Sequence, residues 1–325
     1  GLVDTVYAEG IAAGQPLTRP AGEDLAALVP LADPHGIVAT SCHPLDGHYD
    51  PAAATRHFAD QLAPAGVTLL LRTTARRIRT HPDHSVAGIH TSHGTITTPI
   101  LVVAAGIWTR HLSRTVGVDI PFQQRSVTLG RTTPATPGLF APVLQHSEFT
   151  AWQREDGRIV LGTGLIGRDT VHLPPAALAD PDVRRHLRAN RHATRIRPDL
   201  TGTTRHTPDH IPDTMRWYPP DRSELTRALK ALHRAVPATS SVKIEHTWTG
   251  ILDTTPDALP VLDTTQDVPG LTVLAGMSGH GMAIGPVTGT IGAHLALGKD
   301  TGFDLTAFRH RRFDRPRRAT ASRPG

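Results

Sequence analysis

A single cysteine, Cys42, stands in the whole sequence. It excludes an internal disulfide and suits a reducing compartment, so the expected location is cytoplasmic. No apolar run approaches the roughly 20 residues needed to span a bilayer, and no signal-peptide pattern opens the chain. Aromatic residues are scarce, at 4%, and the one dense basic run holds a single aromatic, Phe313, so nucleic-acid bases have no platform of successive aromatics to stack on. The formal charge of +5 is spread along the chain, and its one dense basic run, RHRRFDRPRR at residues 309–318, reads as a solvated tail. There is no Gly-x-Ser-x-Gly elbow, which leaves hydrolase chemistry without support. An initiating methionine is also missing: the chain starts at Gly1, and the expectation is a processed or truncated N-terminus.

What is present is enough for a folded protein with a substantial core: 325 residues, 38% of them hydrophobic and 19% charged. The stretch IVLGTGLIGRD, residues 159–169, carries Gly162-x-Gly164-x-x-Gly167 directly after an apolar run, the spacing of a dinucleotide-binding turn. Such a turn needs a helix at once, to hold the pyrophosphate on its N-terminal amides, and an acidic residue about 20 positions on to bind the ribose. Pro174 and Pro175 stand where that helix would be in mid-course, and proline there costs about 3 kcal/mol. The motif therefore reads as a strand followed by a glycine-rich turn. Histidine pairs at 81/84, 90/93 and 206/210 lie in turns or beside a proline and have no nearby cysteine, so no metal site is expected.

Along the chain, GEDLAALVPL is a short helix within a loosely amphipathic stretch over residues 1–35. In DGHYDPAAATRHFADQLAPAG, Asp50 can cap a helix with Pro51 at its first position, Phe58, Leu62 and Ala65 form its apolar stripe, and Gly66 ends it. VTLLLRT, from residue 67, reads as a strand. Residues 85–106, SVAGIHTSHGTITTPILVVAAG, read as two hairpin-like strands and then a buried parallel strand ending in small residues. Helices are expected around 182–193 and over 223–236, the latter SELTRALKALHRAV. LTVLAGMSGHGMAIGPVTGTIGAHLALG, residues 271–298, gives a strand, a glycine-rich turn and a helix lined by small residues.

Four blocks in this order, DGHYDP (46–51), ILVVAAGIWTRHLSRTVGVDIP (100–121), WTGILDTTPDALPVLD (248–263) and the 271–298 block, resemble the FAD-dependent D-amino-acid oxidase family, which includes glycine and sarcosine oxidases. The resemblance runs from about residue 25 to 313. It implies an α/β fold: a Rossmann-like FAD-binding domain over 1–121 and 248–313, an inserted α+β substrate or cap domain over 122–247, and a disordered basic tail over 314–325. The family's own N-terminal GxGxxG unit has no counterpart in residues 1–25, so the expectation is that this βαβ element is missing.

The resemblance further implies FAD as cofactor and oxidation of a carbon–nitrogen bond in a small amine or amino acid, with neither nucleic acid nor membrane as partner. It places Gly279, His280, Gly281 and Met282 beside the flavin ring, with Gly276 opening the same turn. Ala105 and Gly106 fall near the ribityl-pyrophosphate and Ala75 near the adenine. Two readings of His280 stay open: a polar catalytic group at the ring, or a histidine bonded to a backbone carbonyl in a tight turn. Trp248 is either a wall of the substrate pocket or core, and His48 either an active-site residue or structural. Members of the family often carry an arginine after Trp-x-Gly for the substrate carboxylate. Here Leu252 and Asp253 stand there, leaving Arg131 or Arg154 to take over, or a substrate that is not a simple α-amino acid. An inactive or non-enzymatic protein on the same scaffold, one that does not bind FAD, is the alternative.

Overall fold

The structure is a computed structural model that describes residues 1–140, 143–164, 169–173, 184, 188, 194–198 and 219–314. The chain opens with α1 (Leu2–Ala12) and α2 (Gly22–Leu28), followed by α3 (Pro51–Asp60). The start of α3 is fixed locally. Asp50 accepts a hydrogen bond from Ala53 N at 2.9 Å, and Pro51 occupies the first helical position. The apolar stripe of α3 is not covered: Phe58 is 58% exposed.

An antiparallel meander comes next, β1 (Ala75–Thr80), β2 (Val86–Thr91) and β3 (Gly94–Thr97). Then come the short β4 (Leu101–Val103) and α4 (Thr109–Arg114). Ile78, 2% exposed, turns from β1 into a core with Val103, Leu112, Ile120 and Val273, and the Ile78 N–H donates to Thr115 Oγ1.

The middle of the chain forms a second sheet. Its described strands are β5 (Gln123–Pro134), β6 (Leu144–Gln145), β7 (Phe149–Gln153), β8 (Arg158–Thr163), β9 (Asp169–Leu173), β10 (Thr194–Pro198) and β11 (Ile244–Thr254). The long β5 is its spine, flanked by β11 on one side and by β8 and β9 on the other. The helix α5 (Arg222–Ala235) covers one face. Asp221 caps it through Ser223 N and Glu224 N, and Leu225, Ala228, Ala231 and Leu232 repeat at helical spacing and are buried. Ala228, Ala231 and Leu232 meet Phe149, Ala151, Ile159 and Leu161, each at most 1% exposed. Burial of each large side chain there contributes roughly 1.5–3 kcal/mol. The expected boundary after residue 247 falls inside β11.

The chain ends in β12 (Val261–Thr264), β13 (Leu271–Ala275) and α6 (Gly281–Ala296). β13 pairs antiparallel with β12 and parallel with β4, Leu271 lying opposite Leu101 and Val273 opposite Val103. α6 packs on this sheet through Ile291 against Leu262 and Leu274. Gly292 permits the approach, because a Cβ there would meet Leu274 Cδ1 at 2.4 Å. A clamp of charges holds the C-terminal turn on β12. The His310 ring bonds to Asp263 at 2.5 Å, and Arg312 bonds to Asp257 at 2.7 Å.

In keeping with a strand followed by a glycine turn, Gly162 lies in β8, antiparallel between β5 and β7, and a Cβ on Gly164, just after the strand, would fall 2.3 Å from Phe149 N; Gly167 lies outside the described residues. Two expectations change. VTLLLRT forms no strand. Val67, Leu69, Leu70 and Leu71 are 49–74% exposed, and the edge of β4 away from β13 has no partner among the described residues. A strand needs a neighbouring strand for its backbone groups, and residues 67–71 pair with none among the described residues. Conversely β1, unforeseen because ARRIRT is so basic, forms since β2 pairs along it. The helix expected over 182–193 and the tail beyond 314 lie outside the described residues, apart from 184 and 188.

Candidate functional site

Because β4 and β13 run parallel, their C-terminal ends lie on one edge of the sheet, the edge where open α/β sheets bind ligands. Ala105 and Gly106 leave that edge from β4, and the turn 276–280 leaves it from β13. Ala75 stands apart, at the start of β1 opposite Thr91, although it packs on the same core. The Ala105 N–H is already used by Thr109 Oγ1 at 3.0 Å.

The 276–280 turn needs glycine at two of its positions. Gly276 and Gly279 have φ of +67° and +92°, and Ser278 shares the left-handed region at +52°. A Cβ on Gly276 would meet Thr255 Cγ2 at 2.4 Å. The turn is fastened to the end of β11. Gly276 N donates to Asp253 Oδ2 at 2.9 Å, Ser278 N donates to the Asp253 carbonyl at 3.2 Å, and Ser278 Oγ donates to the Gly276 carbonyl at 3.0 Å. Burial pushes the Asp253 carboxyl above its ordinary range, against the Gly276 N–H, which favours the charged form.

α6 starts at the end of this turn without a side-chain cap, His280 being its N-cap residue. Ala283 N and Ile284 N both return to the His280 carbonyl. The Gly281 and Met282 amides make no hydrogen bond among the described residues. Free amides and the helix dipole together make this end a donor site for negative charge. The His280 ring is exposed, and its backbone N–H bonds to the Met277 carbonyl at 2.8 Å. Beside this end runs a groove of about 360 Å³ between α3 and α6, lined by Tyr49, Phe58, Gly281, Met282, Gly285 and Gly289 among others. Cβ atoms on Gly285 or Gly289 would meet no atom within 4 Å, so the groove is space that side chains would otherwise take.

The loop 46–50 ties this end to the second sheet. Tyr49 OH donates to the Met282 carbonyl, the His48 ring lies 6.3 Å from the Trp152 ring, and Asp50 reaches Arg154 at 3.8 Å. The sheet presents the face opposite α5. Trp248 and Leu252, two strand repeats apart on β11, are half-buried there, whereas Thr249 between them is 7% exposed. Leu252 Cδ1 lies 3.3 Å from where a Gly279 Cβ would stand, so the sheet face and the turn are in contact.

Arg131 is 3.0 Å from Glu245, which Arg158 also bonds at 2.7 Å, and Arg154 is shared between Asp50 and Asp156. The structure thus engages both arginines in ion pairs and does not bring them to the turn. Three residues at the site escaped the sequence reading. Tyr49 lay in a quoted block without a stated role. Asp253 was noted only as the residue after Leu252. Arg125 faces Leu252 across the β5–β11 ladder, a relation invisible without the strand register. Among the described residues no three His, Cys, Asp or Glu side chains are grouped to hold a metal ion, and no helix is long and apolar enough to cross a membrane.

A family model described as FAD dependent oxidoreductase matches residues 4–295. Human mitochondrial sarcosine dehydrogenase is 24% identical over 304 residues, covering 89% of this chain and 29% of that protein. N-methyl-L-tryptophan oxidase of Salmonella enteritidis is 46% identical over 61 residues, covering 19% of this chain and 16% of that protein. The structure of L-amino acid deaminase from Proteus vulgaris superposes with a TM-score of 0.81 at 20% identity, covering 95% of this chain and 74% of that one. The chain therefore spans less than a third of the length of the curated relatives cited.

Proposed function

The chain belongs to the FAD-dependent oxidoreductases of the D-amino-acid oxidase type, and from that premise we propose that it carries out, alone or as part of a longer enzyme, oxidation of a carbon–nitrogen bond in an amino acid or N-methylated amino acid. The observation that carries this reading is the uncapped start of α6 beside a glycine-floored groove, in contact with the sheet face of Trp248 and Leu252. These features fit a flat cofactor with an anionic edge: small residues leave room for it, and free amides meet its charge.

Gly276, Gly279, His280, Gly281 and Met282 would hold the ring end of FAD, with Ala105 and Gly106 further along the sheet edge and Ala75 toward the adenine. FAD supplies a two-electron acceptor for the carbon–nitrogen bond. The chain's own part is orientation and electrostatics. Asp253 fixes the donor turn by accepting from Gly276 N. Tyr49 holds the first turn of α6 through the Met282 carbonyl. Trp248 and Leu252 supply an apolar wall that excludes water from the substrate carbon, and His280 stands at the helix end as the nearest titratable ring. The substrates named for the relatives, sarcosine and N-methyl-L-tryptophan, share an N-methyl amine next to a carboxylate, and that is the substrate class proposed here.

The test is a visible absorption spectrum of the purified chain with FAD, taken after gel filtration. A retained flavin band that bleaches anaerobically with sarcosine or N-methyl-L-tryptophan supports the reading. A colourless protein after filtration rejects FAD binding by this chain and favours the non-enzymatic alternative.

A further inference from the structure

We infer that the basic cleft beside β1 is a second ligand site, built for a small molecule that carries a diphosphate group. The inference does not rest on the flavin reading. Residues 72–97, the approach to β1 and the β1–β3 meander, hold four arginines and four histidines against one acidic residue, Asp83. Two of each, Arg77, Arg79, His84 and His90, line a cleft of about 440 Å³, a volume in the range of small-molecule sites. No Asp or Glu is among its lining residues. The Asp83 carboxylate is committed elsewhere, accepting from both the N–H and the hydroxyl of Ser85. Cationic groups gathered without a carboxylate repel one another until an anion joins them.

The ladder explains the clustering. Arg77 and Arg79 stand two residues apart on β1, so their side chains leave on one face while Ile78 between them turns into the core. His90 is the register partner of Arg77 and Gly88 that of Arg79. An imidazole therefore lies beside one arginine, and β2 puts no side chain opposite the other. Thr95 Oγ1 pairs with His90 Nδ1 at 2.8 Å and orients that ring. His84 closes the β1–β2 turn at a φ of +67°, the left-handed region where glycine is the ordinary choice. The turn itself is made by backbone bonds, His84 N to the His81 carbonyl and His81 N to the Ser85 carbonyl, so it needs no side chain at 84. A side chain carried in a conformation that disfavours it, at the rim of a cationic cleft, points to something the cleft binds. Cα atoms two residues apart on a strand are separated by about 6.7 Å. Two planar guanidinium forks so spaced suit neighbouring phosphates, with the imidazole N–H groups as further donors.

This cleft is not the flavin edge of the sheet. Val268, on its rim, precedes β13, whereas the turn 276–280 follows that strand. Cleft and turn are separated by the length of β13, about 16 Å at 3.3 Å per residue. Thr115, also on the rim, follows α4, whereas Ala105 and Gly106 precede it.

The test is calorimetric titration of the full chain, and of Arg79→Met and His84→Gly, with pyrophosphate, uridine diphosphate, inorganic phosphate and sulfate. Wild type should bind at least one diphosphate about tenfold or more tighter than phosphate or sulfate. The tighter of the two shows whether the ligand is free pyrophosphate or its nucleoside ester. Arg79→Met should weaken that binding at least about tenfold. His84→Gly separates a binding role from a structural one. Glycine is at ease at a φ of +67°, so the melting temperature should rise while diphosphate affinity falls several-fold. Melting curves show whether each variant is folded, and if Arg79→Met is not, His84→Gly decides. Equal binding of diphosphates and sulfate means a diffuse field of charge and overturns the assignment. So does a diphosphate affinity indifferent to both substitutions. Visible absorption on the same samples keeps the two sites apart. A flavin band present in wild type should persist in both variants, and its loss together with diphosphate binding would make the cleft part of the flavin's own site and overturn a second one.

Discussion

Two of the three sheets among the described residues carry similar apolar strand sequences and treat them differently. In the β5–β11 sheet, Ile159 and Leu161 of β8 pair on both sides and lie at 0% exposure under α5. In the sheet of β12, β13 and β4, the edge strand β4 pairs with β13 alone among the described residues and Val102 is 41% exposed, and the apolar run 67–71, which forms no strand, is up to 74% exposed. Apolar pattern is thus not burial. What buries a strand is a neighbour on each side and a cover for its face: β8 has both under α5, β13 has both between β12 and β4 with α6 packed on it, and β4 at the edge has one neighbour. The candidate site lies where the two sheets approach, Leu252 of β11 meeting the turn after β13 beside the groove between α3 and α6.

Substitutions can break this contrast. The largest effect belongs to the covered sheet: Phe149→Ala, at 1% exposure, should destabilise by about 3–5 kcal/mol, read as a lower urea midpoint at unchanged slope. A loss below about 1 kcal/mol would mean the core under α5 is not packed as described. Next is the turn at the junction. Gly276→Ala must place a Cβ against Thr255 at φ +67°, and a loss of about 2–3 kcal/mol is expected, together with loss of flavin retention. A fully stable alanine variant would show that the turn is not held by Asp253 and Thr255.

Smaller is the C-terminal clamp. The hydrogen bond to Asp263 holds the His310 ring above its usual pKa, against burial. A raised folded value stabilises fully below the unfolded value of about 6.5 and ceases to do so as pH rises through the folded value. The stability gap between wild type and His310→Gln should therefore be largest near pH 6, at about 1–2 kcal/mol, and shrink on the alkaline side. Melts across pH that show the gap growing toward alkaline conditions would reverse the sign and remove the clamp.

Gly285→Ala sharpens the contrast in the opposite direction. A Cβ there meets nothing, and glycine inside a helix is worth about 0.5–1 kcal/mol less than alanine, so the melting temperature should rise while FAD retention falls as the methyl enters the groove. If both rise, the groove is not the cofactor's floor. The smallest effect is Leu71→Ser, at 74% exposure: stability should stay within about 0.5 kcal/mol, and light scattering at high concentration should drop.

Much of the fold was legible because it is local. Asp50 with Pro51 marks a helix start that the structure keeps, and the helix expected over 223–236 forms as α5. The strand, turn and helix of 271–298 follow from an apolar run, glycines at positive φ and small residues after them. The strand expected over 67–73 failed for a non-local reason, the lack of a partner, and β1 appeared for the converse one.

By itself, then, the sequence determined where α3 and α5 begin and the strand, turn and helix of 271–298, and it pointed to the turn 276–282 as a candidate place for a ligand. Those features depend on residues within a few positions of one another. Only the tertiary structure decided that Arg125 stands opposite Leu252, that Arg131 and Arg154 are held by acidic partners, and that Tyr49 reaches Met282. Each of these joins residues distant in sequence. Because side chains alternate faces along a strand, a register slip of one residue would send every one of them to the other side.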